Sequence, residues 1–190
     1  MLANFVKAIF SPSQYVIVEK EEYDKLQDMA CRDALTQLNR CWVFFEELDK
    51  ELSRANRYGH GIAVMVIDLD DLKEHNKKGH ANGDRALKAV ADSIRKTIRR
   101  GDISGRMSDK GDEFAIAMPT SSNIGNVVKV ANRLCDECKQ LDASVTIGFA
   151  YRAKVIRRKG YSLSAIDLYS EASRMLIEGK DIKKGGVYGF

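Results

Sequence analysis

A chain of 190 residues, 44% hydrophobic and 31% charged, has material for one domain with a true core and too little for two. It holds only two prolines, Pro12 and Pro119, and no low-complexity tract; extensive disorder is excluded outside the ends, and no apolar run approaches the roughly 20 residues of a membrane span. The net charge of +4 suits polyphosphate substrates or products but singles none out.

In chain order, residues 1–10 place Leu2, Phe5, Val6, Ile9 and Phe10 on one helical face. This stripe is read as packing against the protein itself or a dimer mate, in preference to a membrane contact. Ser11-Pro12-Ser13 breaks the pattern, residues 15–18 are strand-like, and residues 19–32 form a helix with Tyr23, Leu26 and Met29 on one stripe. Residues 1–32 are therefore a helical lead-in, a short stalk suited to dimerisation, and residues 33–190 a separate domain. Within it, residues 42–57 repeat apolar groups at helical spacing. Residues 62–67 are a continuous apolar run, expected of a central strand covered on both faces. Residues 84–100 form an amphipathic helix, and residues 103–107 and 113–118 are strands around a turn at Ser108 to Gly111. A helix over 123–139, a strand over 144–150, a helix over 163–178 and a short strand at Val187-Tyr188 complete the pattern. Helices between single strands plus one tight hairpin predict an α+β fold with a mainly antiparallel central sheet flanked by helices, ferredoxin-like in outline.

Four cysteines are present, and without a secretory signal they are read as reduced thiols of a cytoplasmic protein. Cys135 and Cys138 form a lone C-x-x-C in a helical pattern; a zinc site needs about four ligands, so packed or surface thiols are expected. The chemistry-bearing residues lie elsewhere. Asp68 and Asp70 follow the buried strand, and residues two apart on a strand share a face. Carboxylates so placed suit hard cations, although Asp70 or Asp71 also fits a helix cap. Asp112-Glu113 sits at the hairpin tip, where the turn can approach the end of a neighbouring strand. Asp68 plus Asp112 would then hold one or two Mg²⁺ ions for phosphoryl transfer. Between the clusters, Lys73 lies on the first turn of the helix after Asp68, within reach of phosphate. Asn76, His80 and Asp84 add polar groups, and the Asp84 carboxylate could accept from the N1–H and exocyclic amine of guanine.

Three stretches together resemble the GGDEF domain of diguanylate cyclases: Asp68-Leu69-Asp70-Asp71-Leu72-Lys73-Glu74-His75-Asn76, Gly79-His80-Ala81-Asn82-Gly83-Asp84, and Lys110-Gly111-Asp112-Glu113-Phe114. Asp33-Ala34-Leu35-Thr36-Gln37-Leu38-Asn39-Arg40 is similar to that family's opening D-x-L-T-x-L-x-N-R segment, and residues 144–150 to its S-I-G-V-A strand. The resemblance covers about residues 31–186. It implies a palm of the nucleotidyl cyclase type and the joining of two GTP molecules into cyclic di-GMP, with release of pyrophosphate, by a homodimer in which each copy brings one GTP. It further implies Mg²⁺, replaceable by Mn²⁺, on Asp68, the Leu69 carbonyl and Asp112. Asp112 would also be the base for the 3′-hydroxyl, with Glu113 supporting. Asn76 and Asp84 would read guanine beside His80 and Gly111, and Lys73, Lys180 and Lys184 would hold phosphates, Lys184 standing where an Arg is usual. Arg99-Arg100-Gly101-Asp102 fits the family's R-x-x-D product-inhibition site. No nucleic-acid partner is expected.

The chain also departs from the pattern. Lys110 replaces the usual first Gly of the hairpin motif, and Ser108 and Asp109 are two extra residues before it. One residue is missing between Asn76 and Gly79 and another within the Thr36–Asn39 turn, Leu72 replaces a Phe, and the loop at 151–162 carries Arg152, Lys154, Arg157, Arg158 and Lys159. These changes leave two alternatives beside the active cyclase: a catalytically inactive module that binds GTP or cyclic di-GMP to regulate a partner, and a divergent cyclase making another cyclic nucleotide.

Overall fold

The structure, a computed structural model, describes residues 18–77, 79–119, 123–155 and 163–190. The stripe at 1–10, most of the strand-like 15–18 and most of the basic loop lie outside the described residues. The chain divides into two compact units, Met1–Ala30 and Cys31–Phe190. In the first, α1 (Lys20–Cys31) buries none of its side chains, and Tyr23, Leu26 and Met29 are exposed.

The second unit is built on a six-stranded sheet in the order β1-β3-β4-β2-β5-β6. Its strands are β1 (Asn39–Arg40), β2 (Ile62–Leu69), β3 (Ile103–Arg106), β4 (Glu113–Pro119), β5 (Val145–Arg152) and β6 (Val187–Gly189). The four central strands pair antiparallel, and the two edge pairings, β1 with β3 and β5 with β6, are parallel. The helices are α2 (Cys41–Tyr58), α3 (Leu72–Lys77), α4 (His80–Thr97), α5 (Ile124–Gln140) and α6 (Ala165–Ile182). The expected α+β fold is thus present. The strand β1 and the short helix α3 are described elements that sequence periodicity had not suggested.

Every residue of β2 is buried, because its two faces feed two separate cores. Ala63, Met65, Ile67 and Leu69 join Val90 and Ile94 of α4 and Leu134 of α5. Ile62, Val64 and Val66 join Phe44 and Leu48 of α2 and Leu168 and Ala172 of α6. Strand alternation thus accounts for a run that looks uniformly apolar in sequence.

Two boundaries differ from expectation by about one helical turn. The helix read from 84 begins at His80, directly after Gly79 at φ 115, and α3 is a separate helix before it. The last helix runs to Ile182 rather than 178. Its start is fixed by a capping box in which Ser164 and Asp167 satisfy one another's backbone N–H groups.

Candidate active site

At the end of β2 the two acidic clusters meet. Asp68 lies opposite Glu113 in the β2–β4 register, and the Leu69 N–H donates to the Asp112 carbonyl at 3.2 Å. Asp68, Leu69, Asp112, Lys73, Lys180 and Lys184 line one cavity of about 370 Å³, together with Asp70, Asp71, Leu72 and Glu74. Lys180 Nζ stands 2.5 Å from Asp68 Oδ1, and Lys184 Nζ 2.7 Å from Asp71 Oδ1. Burial is the largest influence on Asp68 and pushes its pKa up to about 6, helped by the nearby negative charges of Asp112 and Glu113 and opposed by Lys180. A carboxylate in that field lacks positive charge, and an ammonium already leans on it.

The other acidic residues of the first cluster do different work. Asp70 is buried, and its carboxylate accepts from Thr146 Oγ1 at 2.7 Å and Ser144 Oγ at 3.0 Å. Its own N–H donates to the Ser144 carbonyl at 2.9 Å. Asp70 therefore clamps the end of β2 to β5, with both carboxylate oxygens engaged by β5-side hydroxyls. Asp71 has φ 57, and its carbonyl, not its side chain, accepts the Glu74 N–H at 2.8 Å. Neither residue is the side-chain helix cap that the sequence allowed; α3 opens on a left-handed backbone turn instead.

The hairpin is positioned by a residue that the sequence reading missed. Arg106, buried at the end of β3, donates from Nη2 to the Gly111 carbonyl at 2.8 Å and from Nη1 to Asp33 Oδ1 at 3.1 Å. Asp33 Oδ1 also accepts the Thr36 N–H at 2.8 Å and the Thr36 hydroxyl at 2.6 Å. A charged residue in a strand that pairs with an apolar one was the available signal, since a buried guanidinium requires a partner. Burial raises the Asp33 pKa, but the Thr36 bonds and Arg106 outweigh it and hold the carboxyl below its ordinary value.

A second cavity, about 640 Å³, opens on the other side of Leu72 and is lined by Asn76, His80, Asp84, Leu35, Leu87, Arg40, Arg106, Asp109 and Lys110, among others. Gly83 is what lets Asn76 sit there: a Cβ at position 83 would come 2.0 Å from Asn76 Oδ1. The expected site residues thus fall into two adjoining groups, Asp68, Leu69, Lys73, Asp112, Lys180 and Lys184 in one and Asn76, His80 and Asp84 in the other. Glu113 and Gly111 line neither cavity. Arg99 and Asp102 lie beyond the opposite end of β3, where the Asp102 carboxylate accepts the Arg99 N–H at 2.9 Å and the Arg99 side chain is exposed. Cys135 and Cys138 are free thiols outside any disulfide, Cys135 Sγ donating to the Val145 carbonyl at 3.7 Å, and burial pushes their pKa values up to about 12 and about 11, in keeping with packed thiols.

A family model described as diguanylate cyclase, GGDEF domain, matches residues 30–183. Diguanylate cyclase DgcS of Shewanella oneidensis is 29% identical over 170 residues, covering 84% of this chain and 52% of that protein. Diguanylate cyclase TpbB of Pseudomonas aeruginosa is 30% identical over 141 residues, covering 69% of this chain and 32% of that one. The chain thus spans about half or less of the length of these relatives. Among solved structures, the GGDEF domain of DgcB from Caulobacter crescentus in complex with c-di-GMP superposes with a TM-score of 0.74 at 26% identity, covering 84% of this chain and 95% of that one. The DgcB coiled coil and GGDEF domain together give 0.78 at 24% identity, covering 90% and 91%, and bear on the fold alone. Among the described residues no helix is long and apolar enough to cross a membrane.

Proposed function

The chain belongs to the diguanylate cyclase GGDEF domain family, and on that premise we propose that residues 33–190 condense two GTP molecules into cyclic di-GMP and pyrophosphate, with residues 1–32 as a lead-in. One observation carries the reading. An acidic and lysine-lined cavity adjoins a second one with base-reading side chains, so a triphosphate and its base have separate, contiguous seats.

Members of the family are generally Mg²⁺-dependent. The donor set here fits such an ion: Asp68, Asp112 and the Leu69 carbonyl offer only oxygen, and an ammonium already occupies a cation's position on Asp68. Among the described residues no cluster of three or more carboxylate, histidine or cysteine ligands exists. Two carboxylates completed by nucleotide phosphates match the habit of Mg²⁺, with Mn²⁺ as a substitute. When bound, the ion supplies charge for the phosphates and lowers the pKa of the 3′-hydroxyl.

The remaining work falls to the chain. Asp112 accepts the proton of the 3′-hydroxyl as that oxygen attacks the α-phosphate of the other GTP and the bond to pyrophosphate breaks. Glu113, beside Asp68 in register, adds negative charge behind the donor set. Lys73, Lys180 and Lys184 hold the phosphates, and Asn76, Asp84 and His80 hold guanine. Gly111 fixes the turn through its carbonyl bond to Arg106. Because each copy seats one GTP, the active species is a homodimer. Arg99 and Asp102 form the product site, the exposed Arg99 guanidinium offering a fork for phosphate or a guanine edge.

Purified protein incubated with GTP and Mg²⁺ yields cyclic di-GMP, and Asp112→Ala abolishes it. Absence of product at high protein concentration, with GTP bound by calorimetry, would instead establish a nucleotide-binding module. Product from a second NTP would establish a divergent cyclase.

A further inference from the structure

The hairpin turn carries a feature that the reaction as described does not use. Lys110 stands where the family pattern has glycine, preceded by the two extra residues Ser108 and Asp109. Resting on the guanine-nucleotide reading above, we propose that Lys110 is a specificity-determining residue that donates to the O6 and N7 acceptors of the guanine base from the hairpin side of its pocket.

The backbone tolerates the lysine without strain. The longer turn closes with the Gly111 N–H on the Ser108 carbonyl at 3.3 Å, and the Lys110 N–H reaches Ser108 Oγ at 3.4 Å. Neither Lys110 nor Gly111 lies in the left-handed region; the described residues with positive φ are all elsewhere. A glycine's conformational freedom is therefore not required at this turn.

Its charge is also uncommitted. The neighbouring Asp109 carboxylate is held by Arg40, whose Nη1 donates to both oxygens at 2.8 and 3.0 Å, and Arg40 is itself anchored by Nε on the Arg32 carbonyl at 3.0 Å. That pairing neutralises Asp109 and fixes the residue before Lys110. Among the described residues the Lys110 ammonium has no carboxylate within 4 Å.

Location decides what the charge acts on. Lys110 lines the larger cavity with Asn76, His80 and Asp84. It is absent from the lining of the smaller one, where Lys73, Lys180 and Lys184 gather. The ammonium therefore meets the base rather than the triphosphate. It enters from the hairpin, whereas Asn76 and Asp84 come from the α3–α4 segment. Guanine presents O6 and N7 as adjacent acceptors, a pair that lysine recognises, whereas adenine puts an amine donor in place of O6. A carboxylate for the donor edge and an ammonium for the acceptor edge together fit guanine and oppose adenine.

The test separates base from phosphate. Binding is measured by calorimetry for guanosine, for the α,β-methylene analogues of GTP and ATP, which cannot be condensed, and for inosine, which keeps O6 and N7. Lys110→Met should weaken guanosine, inosine and the GTP analogue by one common factor, about three- to tenfold, and leave the ATP analogue unchanged. Lys110→Arg should preserve the preference, showing that the fold and the charge suffice. Weakening of both triphosphates without change for guanosine would overturn the proposal and assign Lys110 to phosphate. Tighter binding by Lys110→Met or Lys110→Gly would overturn it as crowding, and no change in any ligand would remove the contact. If the unaltered protein binds neither guanosine nor the GTP analogue, the guanine-nucleotide reading itself fails, and this inference with it.

Discussion

At the residue scale, Asp33 and Arg106 form an ion pair with both side chains almost wholly buried, and the pair holds the carbonyl of the residue before Asp112. Removing one partner of such a pair strands the other charge and costs about 3–5 kcal/mol. Arg106→Leu should therefore lower the unfolding free energy, read by urea titration, by that margin, and Asp33→Leu in the same chain should return part of it. Activity should stay low in the double variant, because the Gly111 carbonyl has lost its donor. A recovered rate in the double variant would show that the pair serves stability alone. The pH dependence has a definite sign. Asp33 titrates below its ordinary value of 3.8 in the folded protein, so its contribution is present above that value and disappears as pH falls through the lower folded pKa. Acid unfolding of the native protein should steepen below about pH 4, and Asp33→Asn should remove that part of the dependence. Lys180 supports a separate expectation. Its ammonium occupies the Asp68 oxygen that a divalent ion would use, so Lys180→Ala should bind Mn²⁺ more tightly than the unaltered protein without nucleotide, as read by electron paramagnetic resonance. Lys184→Ala, whose partner is Asp71, should do so far less; equal effects would reduce Lys180 to one more background charge. Asp68, Asp84 and Asp112 were legible in the sequence because they sit in short motifs. Arg106 and the inward role of Asp70 were not, since both depend on strand register: Asp70 and Thr146 meet across 76 positions of sequence.

At the scale of elements, Lys180 is aimed by how closely α6 lies on the sheet. Gly148 of β5 makes that approach possible. A Cβ there would come 2.2 Å from the Leu176 nitrogen and 2.3 Å from the Ala172 carbonyl oxygen, and backbone cannot yield as a side chain can. Gly148→Ala should destabilise by about 1–3 kcal/mol or more and lower the melting temperature. It should also weaken GTP binding, because Lys180 rides on the displaced helix. Loss of stability with GTP affinity intact would mean that α6 tilts without moving its C-terminal end. The apolar run of β2 and the amphipathic spacing of α2, α4 and α5 were legible because burial repeats at a fixed period. β1 was not, since two residues carry no period. The start of α4 was hidden by Asn82, Gly83 and Asp84, weak helix formers placed where Gly83 must clear Asn76. The end of α6 was hidden by Gly179, which reads as a stop signal but sits under the Tyr188 ring, 2.0 Å from where a Cβ would be.

At the scale of the whole molecule, each copy offers one acidic cavity and one adjoining larger cavity, whereas the proposed product contains two guanylyl units. On the proposed reaction catalysis would bring two copies face to face, which would make the rate a property of the protein's concentration as well as the substrate's. Specific activity should rise with protein concentration until dimers dominate. If α1 serves as the proposed stalk it would bear on the same equilibrium: it buries none of its own side chains, and an amphipathic helix with an open stripe has a face free for a partner surface. Substituting Leu26 and Met29 together by glutamate should raise the concentration at which activity is half-maximal without lowering the plateau. Mixing gives the sharper test. When equal amounts of native protein and Asp112→Ala exchange freely, about a quarter of the dimers hold two intact sites. Cyclic di-GMP formation per total protein should then fall to about a quarter of the native value rather than a half, and the open dinucleotide should accumulate from the mixed dimers, where one of the two bonds still forms. A fall to one half, with no open intermediate, would mean that a single copy closes both bonds alone, and the two-copy account of this site would be lost.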